Sequence, residues 1–162
     1  MRTILLATLV LLAACAPQRA RVPTMPVPSI IAMDRNSWGH LVSRWTIDGA
    51  GKGTYTLAEP DAYKPERLVT RRFSAGSAGF AEIRGLLALG EAQAESELDC
   101  GDRITDQFYG TVRWDDASLT YDMGCQNPAT EEVLKGITAA ERRIAAWAAN
   151  QPITETRKVE NQ

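Results

Sequence analysis

The stretch Phe108-Tyr109-Gly110-Thr111-Val112-Arg113-Trp114, then Asp115-Asp116-Ala117-Ser118, then Leu119-Thr120-Tyr121-Asp122-Met123-Gly124-Cys125 decides the fold class. In the first segment Phe108, Val112 and Trp114 share one face. In the third, Leu119, Tyr121, Met123 and Cys125 share one face. A period of two is that of a strand buried on one side only. The four residues between the runs read as a turn opened by two aspartates, so the two strands are expected to pair antiparallel as a hairpin.

Upstream the same pattern recurs. Leu41-Val42-Ser43-Arg44-Trp45-Thr46-Ile47 puts Leu41, Trp45 and Ile47 on one face, and Thr54-Tyr55-Thr56-Leu57 resumes the alternation with Tyr55 and Leu57 inward. The glycine-rich Asp48–Gly53 segment between them reads as a longer hairpin loop. Glu59-Pro60 to Lys64-Pro65 breaks the pattern, and Arg67 to Phe73 reads as a third strand.

Two segments change period. From Ser77 to Leu89, Phe80, Ile83 and Leu87 recur at helical spacing with Leu86 beside them. Ser77 is the expected cap and Gly90 the expected stop. From Asn127 the positions Val133, Ile137, Ala140, Ile144 and Trp147 form one apolar stripe, with Asn127 as N-cap and Pro128 as first helical residue. Asn150 and Pro152 end this helix, and the polar residues 151–162 read as a disordered tail. The predicted order is β-β-β-α-β-β-α. The fold class is α+β: a mainly antiparallel sheet of about five strands, with two helices packed on one face and one disulfide.

The segment before the first predicted strand differs in character. Pro17, Pro23, Pro26 and Pro28 lie between Ala16 and about Ser37, and such a stretch favours an extended tether, reaching roughly 3 Å per residue. Ile30, Ile31 and Met33 give its end apolar groups with which to dock. Met1-Arg2-Thr3 and the run Ile4–Ala14, apolar apart from Thr8, have the layout of a secretory signal, and that run is far short of the roughly 20 residues of a membrane-spanning helix. It closes on Leu12-Ala13-Ala14-Cys15, which resembles the lipobox of bacterial lipoproteins in all four positions. The resemblance covers about a tenth of the chain. It implies cleavage before Cys15, a diacylglycerol on the Cys15 sulfur and commonly a third chain on its amino group, enough for stable attachment to a bilayer. Ala16, where an Asp would resemble an inner-membrane retention signal, favours the periplasmic face of the outer membrane in a host with two membranes. The expected organisation is 1–14 signal, 15–37 lipidated tether, 38–150 domain and 151–162 tail.

With Cys15 lipidated, the remaining Cys100 and Cys125 lie in an exported chain, and pairing them is the simplest arithmetic. Two separate buried thiols are the rival reading. A zinc site has less in its favour, since neither cysteine has a CxxC partner and the single histidine, His40, is remote in sequence.

The formal charge is −2, and removing Arg2 with the signal makes it one unit more negative, so there is no electrostatic case for nucleic acid. The residues offer no nucleophile elbow, metal-ligand set or phosphate-cradling loop, so no catalytic residue, metal or cofactor is expected. His40 reads as an exposed linker residue. Two surfaces remain. Arg44, Thr46, Thr54, Thr56, Thr70, Arg72, Thr111, Arg113 and Thr120 all point outward on the predicted strands, and Arg44, Arg72, Arg113 and Thr111 form a candidate binding face. A merely solvated sheet surface is the plainer account of it. Asp102, Asp106 and Asp122 form a candidate acidic cluster amid Asp99, Asp115 and Asp116; solvated turn charges are the plainer account there. Of the four tryptophans, Trp45, Trp114 and Trp147 fall on core faces, and Trp38 is free for contact.

The expected function is a non-enzymatic, membrane-anchored envelope binding module, with another envelope protein or peptidoglycan as partner. The alternatives are a periplasmic hydrolase or lyase using the acidic cluster, and a structural or stress-related surface protein without a specific ligand.

Overall fold

A computed structural model describes residues 27–159. The signal segment, Cys15 and the tether as far as residue 26 lie outside the described residues, as do the last three residues. The elements are β1 (Ile30–Ser37), β2 (His40–Asp48), β3 (Lys52–Glu59), β4 (Arg67–Ser74), α1 (Gly76–Leu86), α2 (Ala88–Glu91), β5 (Tyr109–Trp114), β6 (Ala117–Asp122), α3 (Pro128–Ala148) and β7 (Ile153–Lys158). The strands form one seven-stranded sheet in the order β6-β5-β1-β2-β3-β4-β7. Every neighbouring pair is antiparallel.

The α+β class, the antiparallel sheet and the disulfide hold. The strand and helix counts do not: among the described residues the sheet has seven strands rather than about five, and there are three helices rather than two. Both additional strands lie where a tether and a tail were expected. β1 occupies an interior position, because the prolines end at Pro28 and Ile31 and Met33 then alternate into the core. Its second half, Asp34-Arg35-Asn36-Ser37, looks like solvent sequence, yet Asp34 and Ser37 are buried by pairing with β2 and β5. β7 has six exposed residues and therefore no apolar period; it is held by backbone pairing to β4.

The predicted hairpins occur with small shifts at their ends, the closer one as β5–β6 and the upstream one as β2–β3. In the first helical region the chain forms α1 and the single-turn α2, broken at Leu87. Ser77 is not its cap: the N-cap is Ala75, which makes no side-chain bond. α3 begins as expected, with Asn127 Oδ1 accepting from the Ala129 amide at 2.9 Å and Pro128 at the first position.

The helices cover one face of the sheet. Strand positions Ile31, Met33, Trp45, Ile47, Val112, Trp114, Leu119 and Tyr121 meet Phe80, Ile83 and Leu87 of the α1–α2 region and Val133, Ile137, Ala140 and Ile144 of α3. Each fully buried aliphatic side chain here contributes roughly 1.5–3 kcal/mol. Two glycines are required by close approach. A Cβ at Gly110 would lie 1.9 Å from the Asp34 carbonyl oxygen on β1, and one at Gly51 would lie 1.9 Å from the Gly76 carbonyl oxygen.

The Cys100–Cys125 disulfide closes a separation of 25 residues and joins the segment after α2 to the end of the β5–β6 hairpin. Backbone bonds reinforce it: Ile104 donates to the Gly124 carbonyl at 2.9 Å, and the Gln126 amide donates to the carbonyls of Cys100 and Asp102 at 3.0 Å. Residues 99–107 are thus fastened to the end of the sheet although they contain no strand or helix. Among the described residues no helix is long and apolar enough to cross a membrane.

Candidate functional site

Strand register assigns each side chain to a face. Thr111 on β5 opposes Asp34 on β1, which opposes Arg44 on β2, which opposes Thr56 on β3, which opposes Thr70 on β4. The next row runs Arg113, Ala32, Thr46, Thr54, Arg72. These rows lie on the face away from the helices, so Arg44, Arg72, Arg113 and Thr111 share one surface, as their alternation predicted. Their chemistry there is partly spoken for. Thr46 bonds Thr54 at 3.0 Å, Thr56 bonds Thr70 at 2.9 Å, and Arg113 donates to Asp34 at 2.8 Å. Arg44 and Arg72 are exposed.

On the helix-covered face a polar network went unrecognised in sequence. Arg35 pairs with Glu141 of α3, and the Ser43 hydroxyl donates to the same carboxylate. The Arg35 guanidinium also lies 5.3 Å from the centre of the Phe108 ring, and Tyr63 stacks on that same ring at 6.3 Å between centroids. Burial, with Glu141 adding to it, pushes the Tyr55 hydroxyl up to about 12. The hydroxyl of Tyr121, which donates to the Asp34 carbonyl, is also raised by burial. Ser43 is fully buried and Glu141 nearly so, so these groups tie sheet to helix and do not meet solvent-borne molecules.

The acidic residues disperse. Asp122 is held by the Gly124 amide at 2.8 Å and faces Arg103 at 3.4 Å. Asp106 lines the same hollow as Asp122, whereas Asp102 does not. Among the described residues no group of three histidine, cysteine or carboxylate side chains could hold a metal ion. His40 is exposed as expected, but it opens β2 and is not in a linker.

The most developed surface lies where β1, β5 and β6 share an end. Trp38 and Gly39 form the β1–β2 turn with φ of 50° and 79°. Positive φ at both central residues defines a type I′ turn, which favours Asn-Gly and strains a bulky side chain at its first position. Trp38 is nevertheless there, 65% exposed. The Gly39 amide donates to the Tyr109 hydroxyl at 3.1 Å, fixing the turn against the first residue of β5. Trp38, Tyr109 and Ile104 line a hollow of about 270 Å³ with Arg103, Asp106 and Gln107. A second hollow of about 670 Å³ continues along the β6 edge past Ser118, Thr120, Glu95 and Glu97. The two meet at Arg103, Tyr109 and Asp122. Of the non-glycine residues with positive φ, Trp38 and Asp106 line the first hollow and Glu95 the second. Strained backbone gathers at functional surfaces more than elsewhere.

Trp38 was legible as a free tryptophan. Ile104 and Gln107 were not, because residues 99–107 have no periodicity, and the disulfide was the only signal that they are fastened beside β6; alternation puts Tyr109 on a strand but does not pair it with the turn at Trp38. A larger hollow of about 780 Å³ lies elsewhere, lined by His40, Lys64, Arg67, Thr156, Lys158 and Val159, and it shares no residue with the two that meet at Tyr109.

No family model matches the chain, and no curated protein or solved structure matches it either.

Proposed function

We propose that the chain is a lipid-anchored bacterial envelope protein whose folded domain is a non-enzymatic binding module. The anchor rests on Leu12-Ala13-Ala14-Cys15. With it goes the expectation of the periplasmic face of the outer membrane. The binding role rests on one observation: the polarity of β1. A chain attached through Cys15 enters the domain at Ser29 and Ile30, where both amides and the Ser29 hydroxyl donate to the Asp115 carboxylate. Trp38, Tyr109 and Ile104 sit at the far end of the same strand. Eight residues of strand span about 26 Å. The start of β1, where the preceding chain enters, and the exposed aromatic surface are therefore at opposite ends of the strand, as suits a tethered module that contacts a partner away from its membrane.

The hydrolase or lyase alternative has less support, since Asp102 stands outside the hollow that holds Asp106 and Asp122 and Asp122 is engaged by Arg103. Two measurements test the proposal. Metabolic acyl labelling should mark the wild-type chain and be lost in Cys15→Ser; persistent label would overturn the anchor. Affinity capture with the full chain should recover envelope protein or cell-wall material, and recovery of neither would overturn the binding role.

A further inference from the structure

Within the binding-module reading, we propose that the groove from Trp38 to Glu95 takes a chain of N-acetylated, uncharged amino sugars. Four features lead there. Trp38 and Tyr109 are 65% and 40% exposed, and the Tyr109 hydroxyl is fixed to the turn that carries Trp38. The face of an aromatic ring is electron-rich, so it attracts the slightly positive C–H bonds on the flat side of a pyranose ring. Such a platform with a few convergent polar groups is the usual composition of a small-ligand site.

The second feature is the polar complement. Gln107, Asp106, Asp122, Arg103 and Thr120 offer both donors and acceptors along the groove, which suits hydroxyl and acetamido groups that need both. The third is charge. Glu95, Glu97, Asp106 and Asp122 line the two hollows against Arg103 alone, so a polyanion such as a phosphate-rich polymer would be repelled. The fourth is shape and apolar detail. Two adjoining hollows that share Arg103, Tyr109 and Asp122 suit several linked rings rather than one, and Ile104, 51% exposed in the same hollow as Trp38, gives an acetyl methyl group an apolar seat.

The turn supplies the test. Trp38→Asn restores Asn-Gly, the sequence a type I′ turn prefers, so the variant should unfold at a higher urea concentration than wild type. A residue retained for structure would not show gain of stability with loss of binding. The full chain, purified in detergent, is titrated calorimetrically with the linear N-acetylglucosamine tetramer, the corresponding glucose tetramer and a tetralysine peptide. The expected result is saturable binding of the N-acetylglucosamine tetramer, weakened about tenfold or more in Trp38→Asn. A smaller weakening is expected in Ile104→Ser, which keeps the turn intact. Absence of binding to the wild-type chain, or equal binding by Trp38→Asn, overturns the proposal. So does an equal response to the glucose tetramer, or binding of tetralysine in place of the sugar. These outcomes leave capture of an envelope protein by the full chain untouched, so failure here is distinguishable from failure of the binding-module reading.

Discussion

Arg35 Nη2 lies 2.5 Å from Glu141 Oε2, joining an interior strand of the sheet to the longest helix beneath it. The Arg35 and Glu141 side chains are only 16% and 7% exposed, and Ser43 bonds the same carboxylate. An ion pair this far from water owes its persistence to the cost of breaking it.

Removing one partner should therefore be far worse than removing both. Glu141→Ala strands the Arg35 charge and should cost about 3–5 kcal/mol in urea unfolding. The double variant Arg35→Met with Glu141→Leu should recover most of that loss. If the double variant is as unstable as Glu141→Ala alone, the pair is not the source of the effect.

Alkaline stability should be set by Tyr55 and Tyr121. Their folded forms favour the neutral hydroxyl, since burial raises both above the ordinary value of 10.0, Tyr55 to about 12. Stability is then full below pH 10 and falls as pH rises toward 12, because the unfolded chain releases these protons first. Tyr55→Phe should lose less stability between pH 9 and pH 12 than the wild-type chain, read by circular dichroism in a pH series.

The Asp115 clamp on Ser29 and Ile30 should have the opposite pH dependence. The Ser29 hydroxyl and amide, with the Ile30 amide, hold the Asp115 carboxyl below its ordinary value of 3.8. Its contribution is present above that value and is lost as pH falls through the lowered one. Hydrogen exchange at the Ile30 amide should accelerate in acid beyond the intrinsic rate, and Asp115→Ala should show the faster exchange already at neutral pH.

Reduction of the Cys100–Cys125 disulfide should destabilise the chain by about 3.5 kcal/mol on the chain-entropy model. The Ile104 and Gln126 amides, which bond across this junction, should lose exchange protection before β5 and β6 do. Uniform loss over the whole sheet would mean that residues 99–107 are not separately fastened.

Gly110→Ala should be among the most damaging small substitutions. The new methyl group would collide with the Asp34 carbonyl in the β1–β5 pairing. Overpacking of this kind costs about 1–3 kcal/mol, which a shift in the urea midpoint would report. An unchanged midpoint would show that the two strands can part at no cost.

Local sequence determined a good deal of this molecule. Both predicted hairpins are present because alternating apolar residues bury one face only in a strand, and a polar turn between two such runs leaves antiparallel pairing as the short connection. Asn127-Pro128 starts α3 because its capping bond is made within three residues. The outward row of Thr and Arg follows from parity alone. Tertiary structure decided the rest. β1 is a strand because β2 and β5 flank it and bury Asp34 and Ser37; nothing local distinguishes Asp34-Arg35-Asn36-Ser37 from a solvated linker. β7 adds to β4 through backbone bonds, which carry no side-chain signature. The groove at Trp38 gathers a turn, a strand end and a disulfide-fastened segment that lie some seventy residues apart, and no periodicity relates groups that meet only when the sheet closes.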